Sequence, residues 1–255
     1  MSEPSIATAR EIVRAAERVV VFTGAGVSAE SGVPTFRGPG GMWNSLRAED
    51  LATPQAFARD PRLVWEWYAW RRSLVARCTP NAAHLAIARF AASRPNVTVV
   101  TQNVDGLHQR AAREVAAERA EAPRDVLALH GTLFGVRCTR CDHRAPHDGD
   151  VDASSLDALP SCPRCGALLR PDVVWFGEAL DPALLDAAFD AAARADACVV
   201  IGTSALVQPA ASVATTAVRA GAALVEVTAE ATELSRIARV SLRGPAGTLV
   251  PDVLG

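Results

Sequence analysis

The chain has 255 residues, 49% of them hydrophobic, and a formal net charge of −2 at pH 7. A chain of this length and composition can bury a full core within one domain. The near-neutral charge argues against general nucleic-acid binding, which usually goes with a basic excess. The sequence has no apolar run near the roughly 20 residues of a membrane span and no signal segment at its N-terminus. We therefore expect a cytoplasmic protein without a membrane or nucleic-acid partner.

Apolar, β-branched runs alternate with alanine-rich segments along the chain. The runs predict strands at Arg18–Phe22, Val97–Thr101, Ala197–Ile201 and Ala223–Val227. Helices are predicted at Ile6–Ala16, Pro54–Ala76, Ala82–Ala92, Pro182–Ala195 and Pro209–Ala220. Nearly continuous apolar strands between helices indicate a parallel sheet covered on both faces. The predicted fold class is α/β with a Rossmann-like sheet.

Two stretches interrupt this alternation, one rich in tryptophan at about 38–76 and one with four cysteines at 131–171. We predict a single domain over 1–255. Its Rossmann-like lobe combines about 1–37, 77–130 and 172–255 of the chain. The helical insertion and the cysteine-bearing insertion together would form a small lobe beside the sheet.

The first predicted strand leads into the pattern Gly24-x-Gly26-x-x-Ala29. This glycine pattern is typical of turns that let the backbone approach a pyrophosphate. In a hydride-transferring dehydrogenase a regular helix would follow, with a ribose-binding acid about 20 residues further on. Here residues 31–34 end any helix early, and the acids at 49–50 lie in no recognisable strand. The pattern predicts a nucleotide site unlike that of a dehydrogenase.

Two CxxC pairs separated by twenty residues occur at Cys138, Cys141, Cys162 and Cys165. This spacing is typical of a structural zinc site. Four thiolates close a tetrahedral shell and leave no position for a reactive water, so the metal would stabilise the fold. His143 or His147 could replace one cysteine as a ligand, although the doubled motif favours the cysteines. The remaining Cys78 and Cys198 are expected to be buried thiols.

Five motifs in order along the chain resemble those of the sirtuins, a family of NAD-dependent protein lysine deacylases. They are GAGVSAESGVPTFRG at 24–38, TQNVDGLH at 101–108, LHG at 129–131, GTS at 202–204 and GPAGTLVP at 244–251. The chain looks most like the class of many bacterial sirtuins and the mitochondrial desuccinylase. Thr35, where other classes usually carry aspartate, and the pair Tyr68-x-x-Arg71 point to that class. In this family a mobile loop follows the glycine turn, and NAD is consumed as a substrate.

The resemblance implies a set of NAD contacts in loops at the carboxyl edge of the sheet. The implied contacts are Gly24, Ala25, Gly26, Ser28, Thr35, Phe36, Arg37, Trp43, Gln102, Asn103, Val104, Asp105, Gly202, Thr203, Ser204, Thr228, Glu230 and Ala246. Asp105 could instead cap the helix that follows it. Thr228 stands where the family usually has asparagine, and a hydroxyl offers fewer hydrogen bonds than an amide. Either NAD affinity is weaker for this reason, or Glu230 carries more of the contact.

His130 follows the apolar run 126–129 and precedes a glycine, so it should emerge at a strand tip. The resemblance makes it the general base, and a pKa of about 6.5 suits proton removal at neutral pH. No chemical role is expected for His84 or His108. Substrate contacts implied by the resemblance are Val174, Phe176 and Gly177.

Tyr68 and Arg71 are three residues apart and so share a helix face. A hydroxyl beside a guanidinium can bind a carboxylate, which a succinyl or malonyl group has and an acetyl group lacks. The neighbouring Trp65, Trp67 and Trp70 are interpreted as core residues.

The sequence thus predicts NAD-dependent removal of acetyl, and of succinyl or malonyl, groups from protein lysines. The products would be nicotinamide, O-acyl-ADP-ribose and free lysine. We expect one structural zinc ion, a monomeric chain and acyl-lysine proteins or peptides as partners, docked as a strand between the lobes. A protein mono-ADP-ribosyltransferase and a non-catalytic NAD or ADP-ribose sensor are the alternatives.

Overall fold

The computed structural model of the chain describes residues 5–34, 42–43 and 46–255. Three predicted cofactor contacts, Thr35, Phe36 and Arg37, lie outside the described residues. Trp43 lies in a two-residue strand of which only the backbone is described. The roles of these four residues stay predictions.

The secondary structure of the described residues alternates between strands and helices. The strands are β1 (Val19–Thr23), β2 (Met42–Trp43), β3 (Leu46–Arg47), β4 (Val97–Thr101), β5 (Val126–Ala128), β6 (Gly131–Cys138), β7 (Arg144–Pro146), β8 (Leu169–Val173), β9 (Ala197–Ile201), β10 (Ala223–Thr228) and β11 (Val240–Arg243). The α-helices are α1 (Ile6–Ala15), α2 (Ala48–Leu51), α3 (Pro54–Arg59), α4 (Pro61–Ala76), α5 (Ala82–Ser93), α6 (Leu107–Arg119), α7 (Pro182–Arg194), α8 (Ser212–Arg219) and α9 (Ala246–Leu254). Two 3-10 helices span Ala25–Ser31 and Glu233–Arg236.

Six strands form one parallel sheet in the order β11-β10-β9-β1-β4-β5. Each of the four predicted strands is present within one residue of its predicted ends. Strand β11 was not predicted from the sequence, because only two of its four residues are buried and it has no continuous apolar run. The predicted α/β fold class is confirmed.

Alternate residues of the central strand β1 point into two different layers of helices. Val19 and Val21 pack with α1, α5 and α9, whereas Val20 and Phe22 pack with α7 and α8. All residues of β1 and β9 are buried. Coverage of both faces explains why these strands are continuously apolar and do not alternate with polar residues.

The predicted helix 54–76 is in fact two helices, α3 and α4, with a break at Asp60. Pro61 disfavours helical backbone at the residue before it, and Asp60 has φ −149° and ψ 86°. The Asp60 carboxylate accepts a hydrogen bond from the Leu63 backbone N–H at 3.0 Å and so caps α4. The other predicted helices are present, with ends shifted by three residues at most. No helix of the described residues has both the length and the apolar character to span a membrane.

A second, three-stranded antiparallel sheet is formed by β7, β6 and β8. It packs against α3 and α4 through one hydrophobic cluster that includes Trp65 and Leu133. The Trp65 indole N–H also donates to the Leu169 carbonyl at 3.0 Å. Residues of the two predicted insertions therefore share one core. Strand β8 continues to Val173, two residues past the predicted limit of the zinc-binding insertion.

Two of the three tryptophans of α4 that were predicted as core residues are buried. Trp65 is 0% exposed and Trp67 is 2% exposed, but Trp70 is 36% exposed. The prediction for Trp70 is wrong, because it lies two positions beyond the buried Tyr68 and so points to the other side of the helix.

Candidate active site

A cleft of about 430 Å³ lies at the carboxyl edge of the parallel sheet. Its wall is formed by the loops that follow β1, β4, β5 and β9, by α4 and by residues 173–178. Sheets of this kind bind ligands at this edge, so the cleft is the candidate active site.

The cleft brings together most of the predicted site residues that the structure describes. Predicted cofactor contacts on its wall are Ala25, Gly26, Gln102, Asn103, Val104, Gly202, Thr203 and Ser204. The predicted base and substrate contacts on its wall are His130, Tyr68, Arg71, Val174, Phe176 and Gly177. The predicted contacts that are described but do not line the cleft are Gly24, Ser28, Asp105, Thr228, Glu230 and Ala246.

The glycine turn after β1 packs directly against the loop after β9. The Gly26 backbone N–H donates to the Gly202 carbonyl at 2.7 Å. A Cβ atom on Gly26 would lie 2.7 Å from Gly202 Cα, and one on Gly24 would lie 2.6 Å from Thr203 Cβ. The glycines therefore let two loops meet, a packing role in addition to the predicted approach to a pyrophosphate. The helix that follows is a 3-10 helix of seven residues that ends at Ser31, in agreement with the predicted early stop.

His130 lies on the cleft wall two residues beyond the end of β5. Its Nδ1 is 2.9 Å from the Gln102 carbonyl oxygen. A carbonyl can only accept, so Nδ1 carries the hydrogen and Nε2 of the neutral ring keeps its lone pair. Burial lowers the pKa of His130 below its usual 6.5, and the ring is therefore neutral at pH 7. This tautomer suits a general base that accepts a proton at Nε2.

A buried polar network lies directly behind the cleft wall. The Ser28 hydroxyl donates to Asp105 Oδ2 at 2.7 Å and accepts from Asn103 Nδ2 at 3.1 Å. The other Asp105 oxygen accepts the Leu107 backbone N–H at 2.9 Å, so Asp105 does cap α6. Burial raises the pKa of Asp105. Asp105 thus caps α6 from behind the cleft wall, and its contact with NAD stays a prediction.

His84 and His108, for which no chemical role was predicted, are buried beneath this network. Their ring centroids are 4.8 Å apart. The Asn81 backbone N–H donates to His84 Nδ1, which places the His84 hydrogen on Nε2, 3.3 Å from Ser28 Oγ. His108 Nε2 lies 2.9 Å from the Thr23 hydroxyl. Burial lowers the pKa of His84 to about 4 and that of His108 well below 6.5, so both rings are neutral at pH 7.

Tyr68 and Arg71 lie together on the wall formed by α4. Tyr68 is 1% exposed, and its hydroxyl oxygen accepts the Trp175 indole N–H at 2.9 Å. Burial raises the pKa of Tyr68 to about 12 and lowers the pKa of Arg71. The Arg71 guanidinium carbon is 5.0 Å from the centroid of the Trp67 ring. This wall therefore presents a protonated hydroxyl and a partly desolvated positive charge.

The cleft wall also contains residues that the sequence analysis missed, among them Leu133, Trp175, Glu178, Leu180 and Pro209. Trp175 and Glu178 had a detectable signal, since they belong to the same unbroken run as the predicted contacts at 174, 176 and 177. Leu133 and Pro209 had none, because they come from segments with no recognisable site motif.

Three further predicted NAD contacts, Thr228, Glu230 and Ala246, lie at or just after the end of β10 and at the start of α9. The Thr228 hydroxyl donates to the Glu230 carbonyl at 2.6 Å and accepts from Arg243 Nη1 at 3.1 Å. Its single hydrogen is thus used within the protein, and it can only accept from a ribose hydroxyl. Ala246 is the first residue of α9 and is 6% exposed.

The four predicted zinc ligands form one cluster whose sulfur atoms lie within 4.8 Å of one another. Cys138 Sγ is 3.5 Å from Cys165 Sγ, and Cys141 Sγ is 3.6 Å from Cys162 Sγ. Tetrahedral zinc with bonds of about 2.3 Å needs sulfurs about 3.8 Å apart, so these residues fit the metal. His147 Nδ1 instead accepts from Arg72, which argues against His147 as a ligand. The predicted burial of the two remaining cysteines, at 78 and 198, is confirmed.

The fold, the cleft and the cysteine cluster define the class of protein. It is an α/β protein with a site suited to a nucleotide at the edge of its parallel sheet and a site suited to zinc beside its second sheet. The family model of the Sir2 family matches residues 24–209. The NAD-dependent protein deacylase of Pyrococcus abyssi is 44% identical over 245 residues, which cover 95% of this chain and 94% of that protein. The chain belongs to the Sir2 family.

Solved structures of similar proteins contain ligands. A Sir2 homologue in complex with NAD has a TM-score of 0.89 and 43% identity, and the match covers 100% of this chain and 94% of that one. A Sir2 variant with a deacetylated p53 peptide and 3′-O-acetyl ADP-ribose has a TM-score of 0.83 and 28% identity, with 98% and 97% covered.

Proposed function

We propose that this protein removes acyl groups from protein lysines with consumption of NAD, and that succinyl groups are among those it removes. The general activity follows from its family: the chain is an NAD-dependent protein deacylase, similar along nearly its whole length to proteins of that name. The finer proposal rests on one observation, the placement of Tyr68 and Arg71 on the cleft wall.

The alternative activity, mono-ADP-ribosylation of proteins, is not supported. The similar proteins are named deacylases. One similar structure holds a deacetylated peptide together with acetyl ADP-ribose, the pair of products that deacylation yields. A non-catalytic sensor would not need the neutral His130 ring, with its lone pair on Nε2, that lies on the cleft wall.

The residues in and behind the cleft wall would have different roles in the reaction. NAD, when bound, would supply the ribose carbon that the acyl oxygen attacks as nicotinamide leaves. Asn103 lines the cleft, and its hydrogen bond to Ser28, which in turn donates to Asp105, would hold it in place to contact the nicotinamide amide. His130 would accept a proton from the ribose hydroxyls at Nε2, and its hydrogen bond to the Gln102 carbonyl holds the ring in the tautomer that this role requires.

A succinyl-lysine would bring a carboxylate into a largely apolar channel, where an unpaired charge is costly to desolvate. The Arg71 guanidinium can bind that carboxylate through a charge-assisted pair. The Tyr68 hydroxyl, protonated because burial raises its pKa to about 12, can donate a second hydrogen bond. An acetyl group needs neither contact.

The test compares the catalytic efficiency of wild type and Arg71→Met on matched acetyl- and succinyl-peptides. Loss of the acyl group is measured by mass spectrometry, with and without NAD. Loss of the partner of a buried charge costs about 2–5 kcal/mol, which is at least roughly tenfold in catalytic efficiency. We expect this loss on the succinyl-peptide and little change on the acetyl-peptide.

Arg62→Met is the matched control, because Arg62 lies on the same helix with its side chain 43% exposed. It should leave both activities unchanged. Equal losses on the two peptides in Arg71→Met, or no NAD-dependent desuccinylation by wild type, would refute the proposed acyl selectivity. The cytoplasmic location, the monomeric state and the lack of a nucleic-acid partner stay predictions.

A further inference from the structure

A residue outside α4 determines the direction in which the Tyr68 hydroxyl can donate its hydrogen bond. Tyr68 of α4 accepts the indole N–H of Trp175 at 2.9 Å, although the two residues are 107 positions apart. An indole nitrogen can only donate, so the Tyr68 oxygen is the acceptor in this bond. The hydroxyl hydrogen must then point away from Trp175. Since Tyr68 lines the cleft, the hydrogen is available to an acceptor bound there.

Trp175 is itself held on three sides and is 3% exposed. Its ring lies over the Arg170 guanidinium, with 3.8 Å between the guanidinium carbon and the ring centroid. The Phe57 ring packs against it at a centroid distance of 5.3 Å. Its backbone N–H donates to Glu178 Oε2 at 2.8 Å. These contacts leave the indole little freedom to move away from the tyrosine.

Arg170 and Glu178 tie this arrangement to the second sheet. Arg170 Nη2 contacts both Glu178 carboxylate oxygens, at 2.7 and 2.8 Å, and its side chain is 5% exposed. The Glu178 backbone N–H also closes a turn onto the Trp175 carbonyl at 2.9 Å, with Gly177 at φ +86° inside the turn. That positive φ favours glycine. The turn that carries Trp175 is thus clamped by both the backbone and the side chain of Glu178.

We propose that Trp175 is a positioning residue for acyl selection, which turns the Tyr68 hydroxyl into a hydrogen-bond donor for the distal carboxylate of a dicarboxylic acyl group. This inference rests on the proposed acceptance of succinyl groups. Trp175 acts through Tyr68 and needs no contact with the acyl group. Its contribution should therefore vanish when the Tyr68 hydroxyl is absent.

The experiment is a double-mutant cycle of Trp175→Phe and Tyr68→Phe, with catalytic efficiency measured on matched succinyl- and acetyl-peptides. Trp175→Phe keeps an aromatic ring against Arg170 and Phe57 but removes the indole N–H. We expect the succinyl-to-acetyl ratio to fall roughly three- to tenfold in Trp175→Phe, the range for one lost hydrogen bond. The fall should appear as a higher KM for the succinyl-peptide. In the Tyr68→Phe background, Trp175→Phe should lower the ratio no further.

Trp65→Phe is the matched control, since it also removes a buried indole hydrogen bond, here to the Leu169 carbonyl at 3.0 Å. It should lower the melting temperature without a change in the ratio. A ratio that falls equally in Trp65→Phe, or falls further in the double variant than in Tyr68→Phe, would overturn the positioning role.

The outcomes also separate this inference from the proposed function. If Arg71→Met and Tyr68→Phe lower the ratio and a folded Trp175→Phe does not, the positioning role alone is wrong. If wild type does not remove succinyl groups, the proposed function is wrong at this point, independently of Trp175. Should Trp175→Phe not fold, Tyr68→Phe decides, because an unchanged ratio in that variant would show that the hydroxyl donates nothing to the acyl carboxylate.

Discussion

The buried His84 should make this protein sensitive to mild acid. Its ring is 0% exposed, and burial lowers its pKa to about 4, whereas an unfolded chain has a histidine pKa of about 6.5. Between these two values the unfolded state binds the proton and the folded state does not. The free energy of unfolding must therefore fall as the pH drops through this window, and the stabilisation is fully present only above about pH 6.5. His108 acts in the same direction.

The size of the expected loss in unfolding free energy follows from the pH range of the measurement. From pH 7.5 to pH 5, about 1.5 pH units lie below the unfolded pKa, and each unit is worth about 1.4 kcal/mol. Wild type should therefore lose about 2 kcal/mol through His84 alone. A His84→Gln variant lacks this titration, although it starts from a lower stability at pH 7.5 because the bonds to Ser28 and Asn81 change.

The assay is urea unfolding of wild type and His84→Gln at pH 7.5 and pH 5, with zinc supplied equally. Titrating groups that do not contact His84 are common to both proteins and cancel in the comparison. His108 is the exception, because His84 helps to lower its pKa, and its part of the difference adds to that of His84. The acid-induced loss should be about 2 kcal/mol smaller in the variant. From pH 7.5 to pH 9 the two curves should run parallel. Equal losses on acidification would refute the buried neutral state of His84.

Three further predictions concern the zinc cluster, the base and the loop contact. Cys162→Ala should release zinc and give an unstable or insoluble protein, measured by metal analysis and thermal unfolding; a folded, active, zinc-free variant would contradict the structural assignment. His130→Ala should still bind NAD but lose roughly 10²–10⁴-fold in turnover, and near-normal turnover of this variant would exclude His130 as the base. The wild-type rate should decline in acid with an apparent pKa below 6.5. Gly202→Ala should destabilise the fold, since its Cβ would lie 2.3 Å from the Val27 backbone nitrogen at φ +60°; an unchanged melting temperature would argue against this close packing.

The sequence by itself predicted the features that depend on local patterns. Continuous apolar runs indicate strands buried on both faces, and the central strands were found within one residue of their predicted ends. The doubled CxxC spacing predicted a cysteine cluster, because each pair alone places two thiolates on one turn. The break at Asp60 could also have been predicted from the sequence, because Pro61 disfavours helical backbone at the preceding residue.

Only the tertiary structure decided which side chains become hydrogen-bond partners. The Trp175–Tyr68 bond joins residues 107 positions apart, and the contact of His84 with Ser28 joins residues 56 apart. The sequence placed Thr228 as a nucleotide contact, but the fold brings Arg243 of the neighbouring strand to its hydroxyl. Local sequence sets backbone preference and burial, whereas the direction of a hydroxyl or the tautomer of a histidine depends on groups that other elements bring to it. For this reason the location of the site could be predicted from the chain, and the hydrogen-bonded state of its side chains could not.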